Sequence, residues 1–194
     1  MKKEEADPDS FHSVTADVII RDCGWFNITD FEDSDIGQYI QNVLLLALNY
    51  IGFLKHVHST DVVILLTDDA ELEQLNQEFR HKNGPTNVLS FPSHEFSASN
   101  FSSLPIQENA KFFLGDVAIS YQRIYQESIE QTKPFKEHFT HILVHSFLHL
   151  LGYDHIEESD AEIMEKVEIS IMNSMGFKDP YLIEHVTDTL QIKH

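Results

Sequence analysis

The chain is short of basic residues. Its 194 residues hold 13 Lys+Arg against 32 Asp+Glu, for a formal net charge of -19 and a pI near 4.8. Nucleic-acid binders ordinarily carry a basic footprint that displaces counterions from phosphates. The balance therefore argues against a high-affinity free RNA binder. It argues less against an enzyme brought to its substrate by a partner with a basic surface. Cysteine is nearly absent: Cys23 stands alone, which excludes an internal disulfide framework and any zinc knuckle built on thiolates. Long hydrophobic runs are missing as well. The most apolar stretch, Val43–Leu54, contains Asn49 and is too short to span a bilayer, so no membrane role is expected. The opening MKKEEADPDSF has a basic start with no apolar core behind it, so no secretory signal is expected. These absences together point to a reducing, cytoplasmic-type compartment. No repeat, low-complexity tract or linker divides the chain.

What remains suits one globular domain over residues 1–194, with 42% hydrophobic and 23% charged residues and enough length to bury a core. The fold class expected is α+β, with a mixed sheet of about four strands and a helical second half. Residues 1–14 read as a frayed lead-in, and 16–21 (ADVIIR) as a first strand by its branched apolar residues. Residues 35–55 place Ile36, Ile40, Val43, Leu44, Ala47, Ile51 and Leu54 at helical spacing. Strands are expected over 62–66, 87–91 and 112–120, the last with Gly115 marking a bulge or close approach. Further helices are expected over 71–80, 121–132, 135–151 and 159–175, with an exposed loop over 93–109.

The chemistry concentrates in HILVHSFLHLLGYDH, residues 141–155, which holds four of the 12 histidines. His145 and His149 lie four apart on a predicted helix, so both rings project from one face and reach a single ion. Gly152 permits a sharp turn that returns His155 to that face. Three imidazoles with one open position are the pattern of catalytic rather than structural zinc. Imidazole also suits copper, iron and nickel, with Zn2+, one per chain, the expected ion. His141 shares the face, but helix rise puts it about 12 Å from His149, so both cannot bind one ion; it is expected to pack behind the site. The glutamate that HExxH metallopeptidases carry after the first histidine is missing, since Ser146 stands there.

These residues resemble the signature of the YbeY family, zinc-dependent bacterial endoribonucleases of rRNA maturation: His145-Ser-Phe-Leu-His149-Leu-Leu-Gly-Tyr-Asp-His155. Leu75-Asn-Gln-Glu-Phe-Arg80-His-Lys-Asn-Gly-Pro85-Thr-Asn-Val-Leu-Ser-Phe-Pro92 resembles the family's other long motif, and Leu114-Gly-Asp-Val-Ala-Ile-Ser120 the strand between them. The likeness runs over roughly residues 60–176. It departs where the family commonly has Gly at position 146 and often Asp at 83 and 87; this chain has Ser146, Asn83 and Asn87.

The resemblance implies that His145, His149 and His155 hold the metal at the mouth of a cleft beside a central sheet, and that Arg80 is functionally required. It implies single-stranded RNA, specifically ribosomal RNA at the 16S 3′ end, as substrate, with a role in ribosome quality control, ribosomal subunits or proteins as partners, and no DNA. On spacing alone Arg80 reads as a helix-end cation favoured by the dipole; as a catalytic group its guanidinium would meet phosphoryl charge with two parallel hydrogen bonds. His81 and Lys82 would extend a small basic patch with Arg80, or equally form a solvated turn. Asp116 and Asp154 are candidates for orienting a ligand histidine, and Phe91, Phe96, Phe101, Phe112 and Phe113 for stacking bases, although core or loop packing explains the phenylalanines better. Two other readings stay open: a zinc hydrolase with another substrate, peptidase-like, and a non-enzymatic ribosome-assembly factor with structural zinc.

Overall fold

The first strand of the computed structural model, which describes residues 13–31, 35–55, 57, 59–95 and 111–182, begins earlier than its branched residues suggest. β1 runs Ser13–Ile20 with Val14 already buried. Ser13 and Val14 therefore belong to the sheet and not to a lead-in; the remainder of that expected lead-in lies outside the described residues. There follow α1 (Ile36–Ile51), β2 (Ser59–Thr67), α2 (Asp69–Arg80), β3 (Val88–Pro92), β4 (Lys111–Ser120), α3 (Tyr121–Glu130), α4 (Phe135–Leu150) and α5 (Glu158–Ser174). The loop expected over 93–109 is described only for Ser93–Glu95, all exposed.

The four strands form one mixed sheet in the order β1-β2-β4-β3. β1, β2 and β4 are parallel, and β3 is antiparallel to β4 at one edge. Alternation along β2 explains how the sheet is covered. Val62, Ile64 and Leu66 are fully buried against α1 and α4, where Ile40, Leu44, Phe139, Leu143 and Phe147 complete the main core. Each of these side chains contributes on the order of 2 kcal/mol by leaving water. Val63 and Leu65 face the other way, and there α2 covers only one end, packing Leu72 on Leu89 and Ala118. The rest of that face is an open groove of about 400 Å³ lined by Ile19, Val63, Leu65, Phe79, Phe91 and Asp116.

Local sequence sets the ends of the elements. The Asp68 carboxylate caps α2 by accepting the Glu71 N–H at 2.8 Å. α1 stops at Ile51, short of the expected residue 55, because Gly52 turns left-handed at φ 75° and a 3-10 turn takes over Phe53–Lys55. Gly115 permits close strand contact: a Cβ there would sit 2.2 Å from the Phe91 carbonyl oxygen. The sheet register shifts beside it, at Asp61/Val62, as a bulge requires. α4 is buried on most of its circumference, wedged among β3, α1, α3 and α5. Among the described residues no helix is long and apolar enough to cross a membrane.

Candidate metal centre

α4 carries His141, His145 and His149 toward one side and ends at Leu150. Gly152 then adopts φ 81°, its N–H donating to the His149 carbonyl at 3.1 Å and the Tyr153 N–H to the Leu148 carbonyl at 3.0 Å. This left-handed closure reverses the chain and returns His155 to the face it left. Ring centroids are then 4.5 Å apart for His145 and His149, 5.0 Å for His149 and His155, and 5.5 Å for His145 and His155. One nitrogen from each ring lies within 4.8 Å of the other two, a set that can hold a metal ion.

Hydrogen bonds set the ring chemistry. His149 Nδ1 lies 3.0 Å from the Tyr153 carbonyl oxygen, which only accepts, so Nδ1 carries the proton. His145 Nδ1 lies 2.8 Å from Glu168 Oε1 and donates to it in the same way. With each Nδ1 turned to its acceptor, the two Nε2 atoms face each other at 3.1 Å, where they can share one proton or one cation. Nitrogens bonded at about 2.1 Å to one tetrahedral zinc stand about 3.4 Å apart, so the three donors fit the ion in type and the His145–His149 pair fits it in spacing. Burial, then the neighbouring His145 and His155, lowers the His149 pKa to about 4 against the weaker pull of Tyr153 and Asp154. The ring is neutral at pH 7, the form a metal needs.

Behind His145 stands Glu168 of α5, fully buried. Its Oε2 accepts from His141 Nε2 at 3.0 Å and from the Tyr181 hydroxyl. Burial alone would raise its pKa, but the hydrogen bonds from His141 and His145 hold it at about 2. His141 thus stays out of the cluster, as helix rise requires, and serves the carboxylate. Sequence reasoning missed Glu168. The available signal was a charge on the buried stripe of α5, at helical spacing with Met164, Ile171 and Met172.

The other candidates sit elsewhere. Asp154 accepts the backbone N–H of His155 at 2.7 Å, steadying that residue through its main chain and not its ring. Asp116 lies on the far face of the sheet, in the apolar groove. Ser146 is buried, its hydroxyl donating to the Ile142 carbonyl at 2.6 Å. Asn87 donates to Glu127 Oε2 at 3.1 Å. Arg80 is the exposed last residue of α2, without a hydrogen bond or ion pair among the described residues. His81 follows with φ 55°, and both it and Lys82 are exposed. β3 connects this turn with the metal centre. Phe79 packs edge-on against Phe91 at 5.2 Å, and the next residues, Pro92–Glu95, border with His149 and Gly152 an open depression of about 530 Å³. Phe112 packs on Phe53, and Phe113 is partly exposed; Phe96 and Phe101 lie outside the described residues.

Residues 26–176 match the family described as Endoribonuclease YbeY. A protein of that description from Paracoccus denitrificans (strain Pd 1222) is 42% identical over 171 residues, covering 88% of this chain and 91% of its own. Another, from Ruegeria sp. (strain TM1040), is 38% identical over 172 residues, covering 87% and 96%. A solution structure of TM1509 from Thermotoga maritima is similar at 19% identity over 87% of this chain and 99% of that one, with a TM-score of 0.47.

Proposed function

We propose, since the chain belongs to the endoribonuclease YbeY family, that it is a zinc-dependent endoribonuclease that cuts single-stranded ribosomal RNA. The observation that carries the metal part of this reading is the convergence of His145, His149 and His155 with two Nδ1 atoms already committed to acceptors. These three residues would hold the ion. Zinc in such a site supplies a Lewis acid for a phosphoryl oxygen and lowers the pKa of water to roughly 7. Arg80, an exposed guanidinium with no partner of its own among the described residues, is free to meet a phosphodiester's developing charge. The depression bordered by Pro92–Glu95 and His149 lets an unpaired strand approach from solvent.

The 16S rRNA 3′ end and ribosome quality control, in the cytoplasm, are the setting proposed for this activity. A formal charge of -19 repels free RNA, and it favours delivery by a basic ribosomal protein or subunit. The test is to measure bound metal and then incubate the protein with structured and single-stranded RNA, beside His149→Ala, Arg80→Ala and a chelator control. About one zinc per chain, with cleavage of single-stranded RNA lost in both folded variants, is the expected result. Zinc without cleavage, even when ribosomal subunits are supplied, overturns the nuclease reading in favour of an assembly factor.

A further inference from the structure

Glu168 stands in an unusual place for a carboxylate. It is fully buried on a stripe shared with Met164, Ile171 and Met172, and no Lys or Arg pairs with it among the described residues. Burying an ionised carboxylate costs several kcal/mol unless its lone pairs are satisfied, so an apolar residue would serve the core better. What satisfies it is three side chains from two directions. His145 Nδ1 reaches Oε1 at 2.8 Å, His141 Nε2 reaches Oε2 at 3.0 Å, and the Tyr181 hydroxyl, from the segment after α5, also reaches Oε2. One of these donors is a residue of the histidine cluster, and the contact falls on the nitrogen facing away from it.

We propose that Glu168 is a positioning residue of the metal centre. By accepting from Nδ1 it keeps the His145 proton off Nε2 and holds the ring edge toward the cluster, while His141 and Tyr181 fix the carboxylate itself. This rests on reading the cluster as a metal site. His149 receives the matching constraint from the Tyr153 carbonyl, which the local turn supplies. For His145 the turn provides no such acceptor, and the constraint comes from 23 residues along the chain. Partners of this kind typically change metal affinity by about 10- to 100-fold.

The experiment uses Glu168→Met, which keeps volume without an acceptor, and Glu168→Gln, which keeps one acceptor oxygen. Ile171→Val, a fully buried neighbour on the same helix, controls for destabilisation. Zinc affinity is measured by chelator competition, and the His145 tautomer by nitrogen NMR of the metal-free protein. The expected result is a zinc affinity about 10- to 100-fold weaker in Glu168→Met, a smaller loss in Glu168→Gln, none in Ile171→Val, and a shift of the His145 proton toward Nε2. Unchanged affinity and tautomer in a folded Glu168→Met or Glu168→Gln protein overturns the proposal, as does an equal loss in Ile171→Val. If wild-type protein takes up no zinc, the metal reading fails, while the metal-free tautomer measurement still decides whether Glu168 orients His145.

Discussion

His145 and His149 point their Nε2 atoms at each other across 3.1 Å while each ring's Nδ1 is engaged behind it, one by Glu168 and the other by the Tyr153 carbonyl. The rings cannot relieve this opposition by exchanging tautomers, because a carbonyl and a carboxylate both require a donor at Nδ1. One proton or one cation shared between the two Nε2 atoms would satisfy both rings at once. The fold creates this state with a helix and a single turn, and the helix is held rigid by burial on most sides.

Zinc should accordingly stabilise the protein. At a hundredfold excess over the dissociation constant a ligand adds about 2.7 kcal/mol, which for a chain of this size corresponds to about 5–10 °C in Tm. Thermal denaturation with added zinc and with chelator measures the difference. His149→Ala should abolish the zinc-dependent shift without unfolding the protein, since the ring is only half-buried. A Tm indifferent to zinc would remove the metal centre from consideration.

Gly152 and Gly176 separate turn strain from site geometry. Both lie just beyond a helix end in the left-handed region, at φ 81° and 83°, and alanine at either should cost about 1 kcal/mol. Gly152→Ala also disturbs the turn that returns His155, so it should weaken zinc binding, whereas Gly176→Ala should leave it unchanged. Equal zinc affinities in the two variants would mean that His155 does not depend on this turn.

The clustering of His145, His149 and His155 was legible in the sequence because its geometry is local. Residues four apart on a helix share a face whatever the tertiary fold, and a glycine two residues past the helix end signals a reversal. Glu168 showed in the sequence only as a charge on an apolar stripe; its tie to His145 exists only once α5 has packed on α4. The same holds for the sheet: apolar runs announced four strands, but not that β3 would pair antiparallel at the edge beyond β4. The 3-10 turn Cys23–Asn27 has no periodic pattern to betray it. It is held instead by Trp25, buried among Tyr121, Phe135 and Phe139, whose indole donates to the Thr67 carbonyl at 3.1 Å. Arg80 became a candidate through its surrounding motif; an exposed helix-end cation has no intrinsic mark of function.

Acid should weaken the metal-free protein in two windows. The unfolded chain protonates a histidine near 6.5, whereas folded His149 resists until about 4, chiefly through burial. As pH falls through this interval the unfolded state gains protons and stability declines. Glu168 acts lower. Its folded pKa of about 2 lies below the ordinary 4.5, so its contribution is complete above 4.5 and is lost as pH falls toward 2, on the order of 3 kcal/mol in full. Urea denaturation at a series of pH values, with chelator present, reads both intervals. His149→Ala should flatten the upper one and Glu168→Gln the lower. A wild-type stability unchanged between pH 7 and 4 would contradict the His149 assignment.

Arg80→Ala should separate activity from stability more cleanly than any other substitution. The side chain is exposed and has no hydrogen bond or ion pair among the described residues. Its only structural credit is a cation at a helix C-terminus, worth about 0.3–1 kcal/mol. The variant should therefore fold, keep its zinc and lose no more than a few degrees in Tm. If the guanidinium meets transition-state charge, RNA cleavage should fall by about 10²–10³, the usual cost of removing one such donor. Arg80→Lys should recover only part of this, because an ammonium cannot supply two parallel N–H donors. Measuring kcat and KM distinguishes the roles: loss confined to KM would make Arg80 a contact for the RNA backbone, and loss in kcat would place it at the reacting phosphate. Full activity in Arg80→Ala would return it to the helix-end cation that its spacing alone suggests.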